Sequence, residues 1–201
     1  MGHREDLLTG AKRCLYERGY AHTTARDIVA ASGTNLASIG YHFGSVEALL
    51  NAAMIQAIEE WSEALKLALT SSAASTSVGM EQFEVIWTRI IESFETDRQL
   101  WVATFEALVQ AERSPAVRAF LAEALDQGRM GLAELFQGID PTSDEALAWK
   151  IGSFYQALLT GVWVQWLIDS ERAPSGADIA TALRAIQASF HASASPDTKS
   201  D

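Results

Sequence analysis

Helix caps and glycine stops follow one another closely in the first fifty residues. Side chains that favour helix N-termini alternate with glycines that favour helix ends: Thr24, Gly33, Asn35, Gly44 and Ser45. Thr24 and Asp27 also have the spacing of a capping box, in which each side chain satisfies a backbone N–H of the other residue. These signals predict short helices over 25–32 and 36–42, joined by a turn at Gly33. Such a pair is typical of a helix-turn-helix, although a helical corner in any all-α protein has the same outline.

The rest of the chain also has helical periodicity. Leu7, Ala11, Cys14 and Leu15 form the apolar stripe of a first helix that ends at Gly19. None of the four prolines interrupts a periodic stretch, and no segment alternates with the period of two that strands require. The remaining predicted helices are 46–69, 80–96, 98–112, 115–137, 144–171 and 176–192. We therefore expect an all-α fold of about nine helices.

The second part of the chain also contains sequence signals for helix caps and loops. Ser114 before Pro115 predicts a helix start, and Thr142 with Glu145 has the spacing of a second capping box. The small residues over 70–77 predict a loop, and the tail from about residue 193 is expected to be frayed or disordered.

Composition excludes several classes of protein. The chain has 201 residues and is 48% hydrophobic, with 18 aromatic side chains, which argues against a disordered acidic chain. Cys14 is the single cysteine, so no intrachain disulfide and no cysteine-based metal cage forms, and its place on an apolar stripe predicts an inert buried thiol. The first residues lack the apolar segment of a secretory signal, so we expect a cytoplasmic protein.

The segment from Gly19 to Leu50 resembles a known family. It contains GYAHTTARDIVAASG over 19–33, NLASIGYHFGS over 35–45 and EALL over 47–50. This segment resembles the amino-terminal domain of the TetR (tetracycline-repressor) family of transcriptional regulators, and its most specific part is the run Tyr41-His42-Phe43. The remainder of the chain resembles the family in architecture only.

The resemblance implies both a domain division and a function. Residues 1–50 would be a helix-turn-helix DNA-binding domain with three helices, and residues 51–201 a helical domain for ligand binding and dimerisation. The protein would be a ligand-responsive regulator, most simply a repressor. It would bind a palindromic operator in double-stranded DNA as a homodimer, and a small-molecule effector would release it.

The second short helix is the predicted recognition helix, which would lie in the major groove. Ile39 and Phe43 are expected to face the core, which leaves the opposite face for DNA. Small side chains there allow close approach to base edges. The resemblance adds Tyr41 and His42 as contacts to bases or backbone, and Thr24 and Arg26 as phosphate contacts. The predicted DNA-binding residues are Thr24, Arg26, Asn35, Leu36, Ala37, Ser38, Tyr41 and His42.

Two positions depart from the family pattern. The family usually has lysine, which holds a phosphate, at the position of Val46. Leu36 stands where the family often has a polar residue that reads bases. Leu36 shares a stripe with Ile39 and Phe43, so we expect it to pack partly on the core, and contact with a thymine methyl group is the alternative.

The formal charge of −11 is unevenly distributed. Residues 1–50 carry five basic and five acidic side chains, so the whole net charge lies in residues 51–201. An acidic balance argues against binding nucleic acid over the whole surface, but it leaves room for a small DNA-reading surface. Because residues 1–50 are neutral and residues 51–201 are acidic, we expect weak non-specific binding to DNA and a shallow dependence of DNA binding on salt.

An uncharged stretch over 151–168 is long enough to raise the question of a membrane span. We expect instead that this helix is buried between protein layers, because small and polar residues line one side of it. In the family it pairs with its copy, so helices 144–171 and 176–192 are the predicted dimer surface. The predicted interface residues are Ala157, Gly161, Trp163 and Trp166.

Large aromatic residues mark a predicted effector pocket among the helices between residues 80 and 171. The candidates for its wall are Trp87, Trp101, Phe105, Phe154 and Tyr155. Aromatic residues on helical stripes are more often simply core, which is the competing interpretation for each of them. A pocket with such a wall would suit an apolar or aromatic effector, and Glu92, Glu106 or Arg129 would add polarity.

Two other classes of function compete with the regulator. A helical di-iron enzyme needs Glu-x-x-His pairs, and none of the four histidines has glutamate three residues before it. No zinc-protease, phosphate-loop or nucleophile-elbow motif is present either, so we expect no enzymatic activity, no cofactor and no metal. A protein–protein adaptor built on the helical body is the second alternative, but it has no need of the Tyr41-His42 pair.

Overall fold

The computed structural model describes residues 2–70 and 79–193. Within those residues the chain forms nine α-helices and no strand. The helices are α1 (His3–Arg18), α2 (Ala25–Ser32), α3 (Leu36–Phe43), α4 (Val46–Thr70), α5 (Met80–Thr96), α6 (Arg98–Gln110), α7 (Pro115–Gln137), α8 (Glu145–Ile168) and α9 (Gly176–Ser193). The all-α prediction is confirmed. The predicted loop lies outside the described residues from position 71 onward, and the predicted tail lies outside them from position 194 onward.

The start of α8 differs from the sequence prediction. Asp144, rather than Thr142, caps this helix, and its side chain accepts a hydrogen bond from the backbone N–H of Leu147. Thr142 lies in the preceding turn, where its hydroxyl and its backbone N–H both donate to Asp140 Oδ1, each at 2.8 Å. The helix also ends at Ile168, three residues before the predicted end at 171.

The first of two hydrophobic cores joins the N-terminal helices to the body. Leu7, Leu15, Ile28 and Ile39 of α1–α3 are buried in it. The same cluster contains side chains of α4, α6 and α7: Leu49, Leu50, Ala53, Met54, Ala103, Ala107, Val117 and Leu121. The division of the chain near residue 50 therefore runs through a shared core, and it stays a proposal.

The second core fills the body of the molecule and is rich in aromatic rings. It joins the C-terminal half of α4 to α5, α6, α7, α8 and α9. Phe136 and Tyr155 stack with their planes 9° apart and their ring centroids 4.2 Å apart. Gly152 lets α8 pack tightly on α7, because a Cβ at this position would collide with the backbone carbonyl of Arg129. No helix among the described residues is long and apolar enough to cross a membrane.

Candidate nucleic-acid interface

Helices α2 and α3 form the predicted helix-turn-helix, and side-chain caps fix where each one begins. Thr24 Oγ1 accepts a hydrogen bond from the backbone N–H of Asp27 at 3.3 Å, and Asp27 Oδ2 accepts one from the backbone N–H of Thr24 at 3.0 Å. This reciprocal pair is the predicted capping box, which is confirmed. Gly33, in the left-handed conformation, ends α2. Asn35 caps α3, and Gly44 ends it.

The capping role of Thr24 limits what else its side chain does. Its hydroxyl donates to Asp27 Oδ2 at 2.6 Å while also serving as the acceptor of the cap. These hydrogen bonds lower the pKa of Asp27, and Arg18, 3.5 Å away, adds to the shift. An ionised carboxylate therefore occupies the N-terminus of α2. The phosphate contact of Thr24 stays a prediction, and its hydroxyl donor would have to leave Asp27 to make it.

One face of α3 is buried and the other is open to solvent. Ile39 is in the first core and Phe43 packs against it, as the sequence predicts. The exposed positions form a contiguous surface: Leu36, Ala37, Gly40 and Tyr41. Because Ala37 and Gly40 are small, a flat partner such as the floor of a groove could approach this face closely.

Tyr41 stands out from this face. Its side chain is 85% exposed, more than any other large hydrophobic residue among those described. His42 lies beside it with the rings edge to face and the centroids 4.9 Å apart. The ring and hydroxyl of Tyr41 are free to meet a partner, since the part of the chain that the structure describes offers the hydroxyl no hydrogen bond.

Asn35 and Ser38 are less free than the sequence suggests. Asn35 Oδ1 accepts hydrogen bonds from the backbone N–H of Ser38 at 3.0 Å and from its hydroxyl at 3.2 Å. The amide oxygen is therefore committed to the cap of α3, whereas the amide nitrogen remains a donor that faces outward on an exposed residue.

Leu36 does not pack on the core, and the expectation that it would was wrong. Its side chain is 54% exposed at the first position of α3, and it is absent from the side chains that pack against the first core. Val46, in contrast, packs against the first core as the first residue of α4. A lysine at that position would place its charged end beyond the core, whereas Val46 offers a phosphate only its backbone N–H.

Most basic side chains of residues 1–50 already have partners. Lys12 pairs with Glu60 at 2.6 Å, Arg13 with Glu17 at 3.6 Å and Arg18 with Asp27. The guanidinium of Arg4 lies over the ring of Phe43, 5.3 Å from its centroid. Arg26 is exposed and has neither an ion pair nor a hydrogen bond within the described residues. It is therefore the most available cation beside α3.

Two hydrogen bonds tie the N-terminal helices to the body across the loop before α2. The carboxylate of Glu106 in α6 accepts a hydrogen bond from the backbone N–H of Ala21 at 3.1 Å and lies against Gly19, where a side chain would collide with it. The hydroxyl of Tyr20 donates to Asn51 Oδ1 at 2.7 Å. Burial, with a smaller contribution from Glu47, raises the pKa of Tyr20 to about 12.

A third hydrogen bond joins the start of α4 to the start of α7. The hydroxyl of Ser114, which caps α7, donates to Glu47 Oε1 at 2.6 Å. We name this bond and the bonds of Ala21 and Tyr20 the head–body joint, where the head is α1–α3 together with the start of α4 up to residue 50, and the body is the rest of the described chain. Sequence reasoning missed the joint because its partners lie 31 to 85 residues apart.

The predicted pocket residues fall into two groups. Trp87, Trp101 and Tyr155 are buried in the second core, in contact with other aromatic rings. Phe105 and Phe154 are exposed, at 43% and 51%. Of the predicted polar candidates, Glu92 pairs with Arg89 on the surface, Arg129 pairs with Asp126, and Glu106 belongs to the head–body joint.

The predicted dimer residues also divide. Ala157 and Gly161 are exposed on α8, and a Cβ at Gly161 would meet nothing. Trp163 is buried in its own subunit at 4% exposure, so its assignment to a surface was wrong. Trp166 is half-buried against Phe94, with the ring centroids 5.8 Å apart.

Three large apolar side chains on the same helices were missed. Ile168 on α8 is 80% exposed, and Ile186 and Phe190 on α9 are also exposed. The helical spacing from Gly161 to Ile168 was the signal that could have found the first of them.

Cys14 is buried, and burial is the main cause that raises the pKa of its thiol, which is the inert state that its stripe position predicts. Among the described residues no group of three or more histidine, cysteine, aspartate or glutamate side chains could hold a metal ion.

Two family models match the chain. Residues 7–53 match the model described as bacterial regulatory proteins, tetR family. Residues 78–189 match the model of a tetracyclin repressor-like C-terminal domain, which alone spans more than half of the chain.

Curated and solved proteins agree with these models. The HTH-type transcriptional repressor AcnR of Corynebacterium efficiens is 29% identical over 133 residues, which cover 63% of this chain and 68% of AcnR. A transcriptional regulator of Streptomyces coelicolor A3(2) has a TM-score of 0.68 at 23% identity, covering 92% of this chain and 97% of its own. The multidrug binding protein EbrR, solved with proflavin, has a TM-score of 0.61 at 24% identity, covering 91% and 98%.

Proposed function

Because the chain belongs to the tetR family of bacterial regulatory proteins, we propose that it is a repressor that binds a palindromic operator as a homodimer and leaves it when a small molecule binds the body. The exposed face of α3, with Tyr41 at its centre and small residues around it, is the observation that carries the DNA-binding half of this proposal. Acting on bacterial DNA, the repressor would work in the cytoplasm.

The contacts to DNA follow from which side chains are free. Tyr41 and His42 contact bases or backbone in the major groove, Leu36 meets a thymine methyl group, and the amide nitrogen of Asn35 donates to a base or phosphate. Ala37 and Ser38 set how closely the helix approaches. Arg26, together with the backbone N–H groups at the start of α2, holds a phosphate, and Thr24 has the minor part because its hydroxyl is bound to Asp27.

Substitutions in α3 test this assignment on duplexes that the wild-type protein selects from a random pool. Tyr41→Ala and His42→Ala should weaken binding while the helix content and the oligomeric state stay unchanged. Tyr41→Phe keeps the ring and removes the hydroxyl, so it separates their contributions to DNA binding. Arg26→Ala should weaken binding to all duplexes alike, and Arg113→Ala, which removes an exposed arginine in the turn between α6 and α7, is its control. Wild-type binding by both Tyr41→Ala and His42→Ala would exclude α3 as the recognition helix.

The homodimer is proposed to form through α8 and α9. Ala157, Gly161 and Ile168 on α8, with Ile186 and Phe190 on α9, are apolar or small residues that the subunit leaves exposed on the last two helices. Such a surface on a monomer marks an interaction site, and a two-fold axis through it would make a four-helix bundle. Of the predicted tryptophans, only Trp166 has exposed area left to contribute.

Two glycines on exposed helix surfaces provide a matched test of the dimer. A side chain at Gly161 of α8 or at Gly131 of α7 would meet nothing within the subunit. Glutamate should therefore be tolerated by the monomer at both positions. We expect Gly161→Glu to give a monomer by light scattering and Gly131→Glu to remain a dimer. A dimer in both variants would place the interface elsewhere.

The effector is proposed to act by shifting a population of dimer geometries. Operator binding requires the two copies of α3 to match successive major grooves, which lie about 34–36 Å apart. An effector that binds the body among α5–α8 would favour a dimer with another spacing, and α4 and the head–body joint would carry the shift to α3. EbrR, solved with proflavin, is a relative in fold that binds a flat aromatic molecule, which supports an aromatic effector here.

A further inference from the structure

The body contains tryptophans whose indole N–H groups have no partner. Trp101 Nε1 and Trp163 Nε1 are buried and make no hydrogen bond within the described part of the chain, although the two side chains are only 6% and 4% exposed. Trp61 Nε1, in contrast, donates to Ser93 Oγ at 2.9 Å. Buried indole N–H groups usually find a partner, so unused donors in one core need an explanation. Trp87 Nε1 in the same core has no partner either, but its ring packs against Phe83 and Phe136, whereas Trp101 and Trp163 bring two unused donors into one ring contact.

The two indoles face each other across α6 and α8. Their ring centroids are 5.5 Å apart, and Phe105 meets Trp163 edge to face at 6.3 Å. Phe105 is also partly exposed, so this aromatic group reaches the surface between the two helices. Large side chains, rather than close backbone packing of the kind that joins α7 to α8, hold α6 and α8 together. Rotation of these rings would open a flat slot without breaking a helix.

The polar atoms of this aromatic group are neutral indole N–H donors. Trp101, Phe105 and Trp163 contribute aromatic surface and two donors. Within the described residues, the arginines that lie over a ring are Arg4 on Phe43 and Arg129 on Trp149, so no cation covers these three rings. An anionic ligand would therefore lose its hydration without gaining a counter-charge, which is costly in an apolar site. A neutral acceptor such as a ring carbonyl satisfies a donor at no such cost.

We propose that the contact between Trp101 and Trp163 opens by ring rotation to a slot between α6 and α8, which binds a flat, neutral aromatic molecule that carries a carbonyl oxygen. That oxygen accepts a hydrogen bond from the indole N–H of Trp101 or Trp163. This inference rests on the proposed effector site and gives it a ligand chemistry. The aromatic rings supply the contact area, and the unused donors select molecules with an acceptor over equally apolar molecules without one.

Indole resonances of the intact protein test the proposal directly. With 15N-labelled tryptophan, each of the six indole N–H signals is assigned by one Trp→Phe variant, and 9-fluorenone is the probe. We expect the proton signal of Trp101 or Trp163 to move downfield as the carbonyl accepts its hydrogen bond. Trp61 should stay in place, because its donor already has a partner. Fluorene, which has the same three rings without the carbonyl, should move neither signal in this direction.

Affinities provide the second measurement. Fluorenone should bind the wild-type protein about tenfold more tightly than fluorene, which corresponds to about 1.4 kcal/mol for one hydrogen bond. In the double variant Trp101→Phe/Trp163→Phe both aromatic rings remain and both donors are gone, so the two probes should bind alike. Trp61→Phe is the matched control, since its ring touches Trp101 at 4.9 Å but its N–H belongs to Ser93.

Several results would overturn this proposal. They are equal binding of fluorenone and fluorene, failure of both to bind, tighter binding of the flat cation 10-methylacridinium, and a fluorenone preference that survives in the double variant. The indole signals of the wild-type protein decide the question even if the double variant does not fold.

DNA binding, measured separately, distinguishes a failure of this inference from a failure of the proposed function. If the protein selects an operator but does not discriminate carbonyls, the repressor stands and the ligand chemistry is wrong. If fluorenone binds through the indoles but leaves operator affinity unchanged, the site stands and its role as the effector site is wrong.

Discussion

Adding one positive charge at the start of α4 should change how steeply the affinity of the protein for DNA falls with salt. Four of the five basic side chains of the head already have partners, and Arg26 is the exception within the described residues. Val46 occupies the position where the family usually has a phosphate-binding lysine. Val46→Lys therefore tests whether the N-terminus of α4 lies on the DNA backbone.

The magnitude follows from counting phosphates. Each cation that neutralises a phosphate contributes about 0.9 to the slope of log K against log salt. If Arg26 of each subunit makes the main contact, the wild-type slope is about −2, and Val46→Lys in both subunits makes it about −4. Between about 50 and 200 mM salt, the wild type should lose roughly tenfold in affinity and the variant roughly 150-fold.

Fluorescence anisotropy of a labelled, selected duplex measures both slopes. Leu67→Lys is the matched control, because it adds the same charge at an exposed position of the same helix. It lies 21 residues further along α4, which is about 31 Å along the helix axis. That distance is well beyond the Debye length of about 10 Å at 0.1 M salt, so its slope should equal that of the wild type.

Three outcomes would refute this reasoning in different ways. A wild-type slope of about −7 or steeper would mean that eight or more counterions are released, and the paired cations of the head would then have to contact DNA. An unchanged slope in Val46→Lys would remove the start of α4 from the DNA backbone. Equal effects of Val46→Lys and Leu67→Lys would show that net charge, rather than a local contact, sets the response.

Three further predictions concern the cap and the head–body joint. Thr24→Ala should lower the free energy of unfolding by about 1 kcal/mol because it removes the capping box, whereas Thr24→Ser should not, as thermal denaturation can show. Glu106→Ala should weaken operator binding roughly fivefold by freeing the Ala21 N–H, whereas Glu106→Gln, which keeps an acceptor, should bind like the wild type; equal losses in both would point to the charge instead. Since burial raises the pKa of Tyr20 to about 12, its neutral phenol stabilises the fold below the unfolded pKa of about 10. That contribution is lost as the pH rises through the folded pKa, and near-ultraviolet tyrosinate absorbance of the wild type and of Tyr20→Phe should reveal the late titration.

The short-range features of the head were predictable from the sequence. Caps act over three residues, so Thr24 with Asp27 and Asn35 with Ser38 set the starts of α2 and α3 correctly. The same reasoning failed at α8, where Asp140, rather than Glu145, accepts the backbone N–H of Thr142, and Asp144 caps the helix instead. A local motif is decisive only where no nearby side chain competes for the same groups.

Helical periodicity gave the direction of each apolar stripe but not its buried width. Leu36 lies on the stripe of Ile39 yet is exposed, and Trp163, expected at a surface, is buried. Which residues at the edge of an apolar stripe become buried depends on the helices that pack against it, and those helices are far away in sequence. The contact of Glu106 with Ala21 has the same origin, since nothing local to either residue signals a partner 85 positions away.

Selection of bound duplexes from a random pool measures whether two copies of α3 read DNA together. We expect an enriched palindrome whose half-sites are centred one helical turn apart, about 10 base pairs, or a small multiple of that distance. Tyr41→Ala should change or abolish the enriched sequence. A pool that stays random would exclude sequence-specific binding by α3, and an enriched site without two-fold symmetry would exclude joint reading by two copies of it.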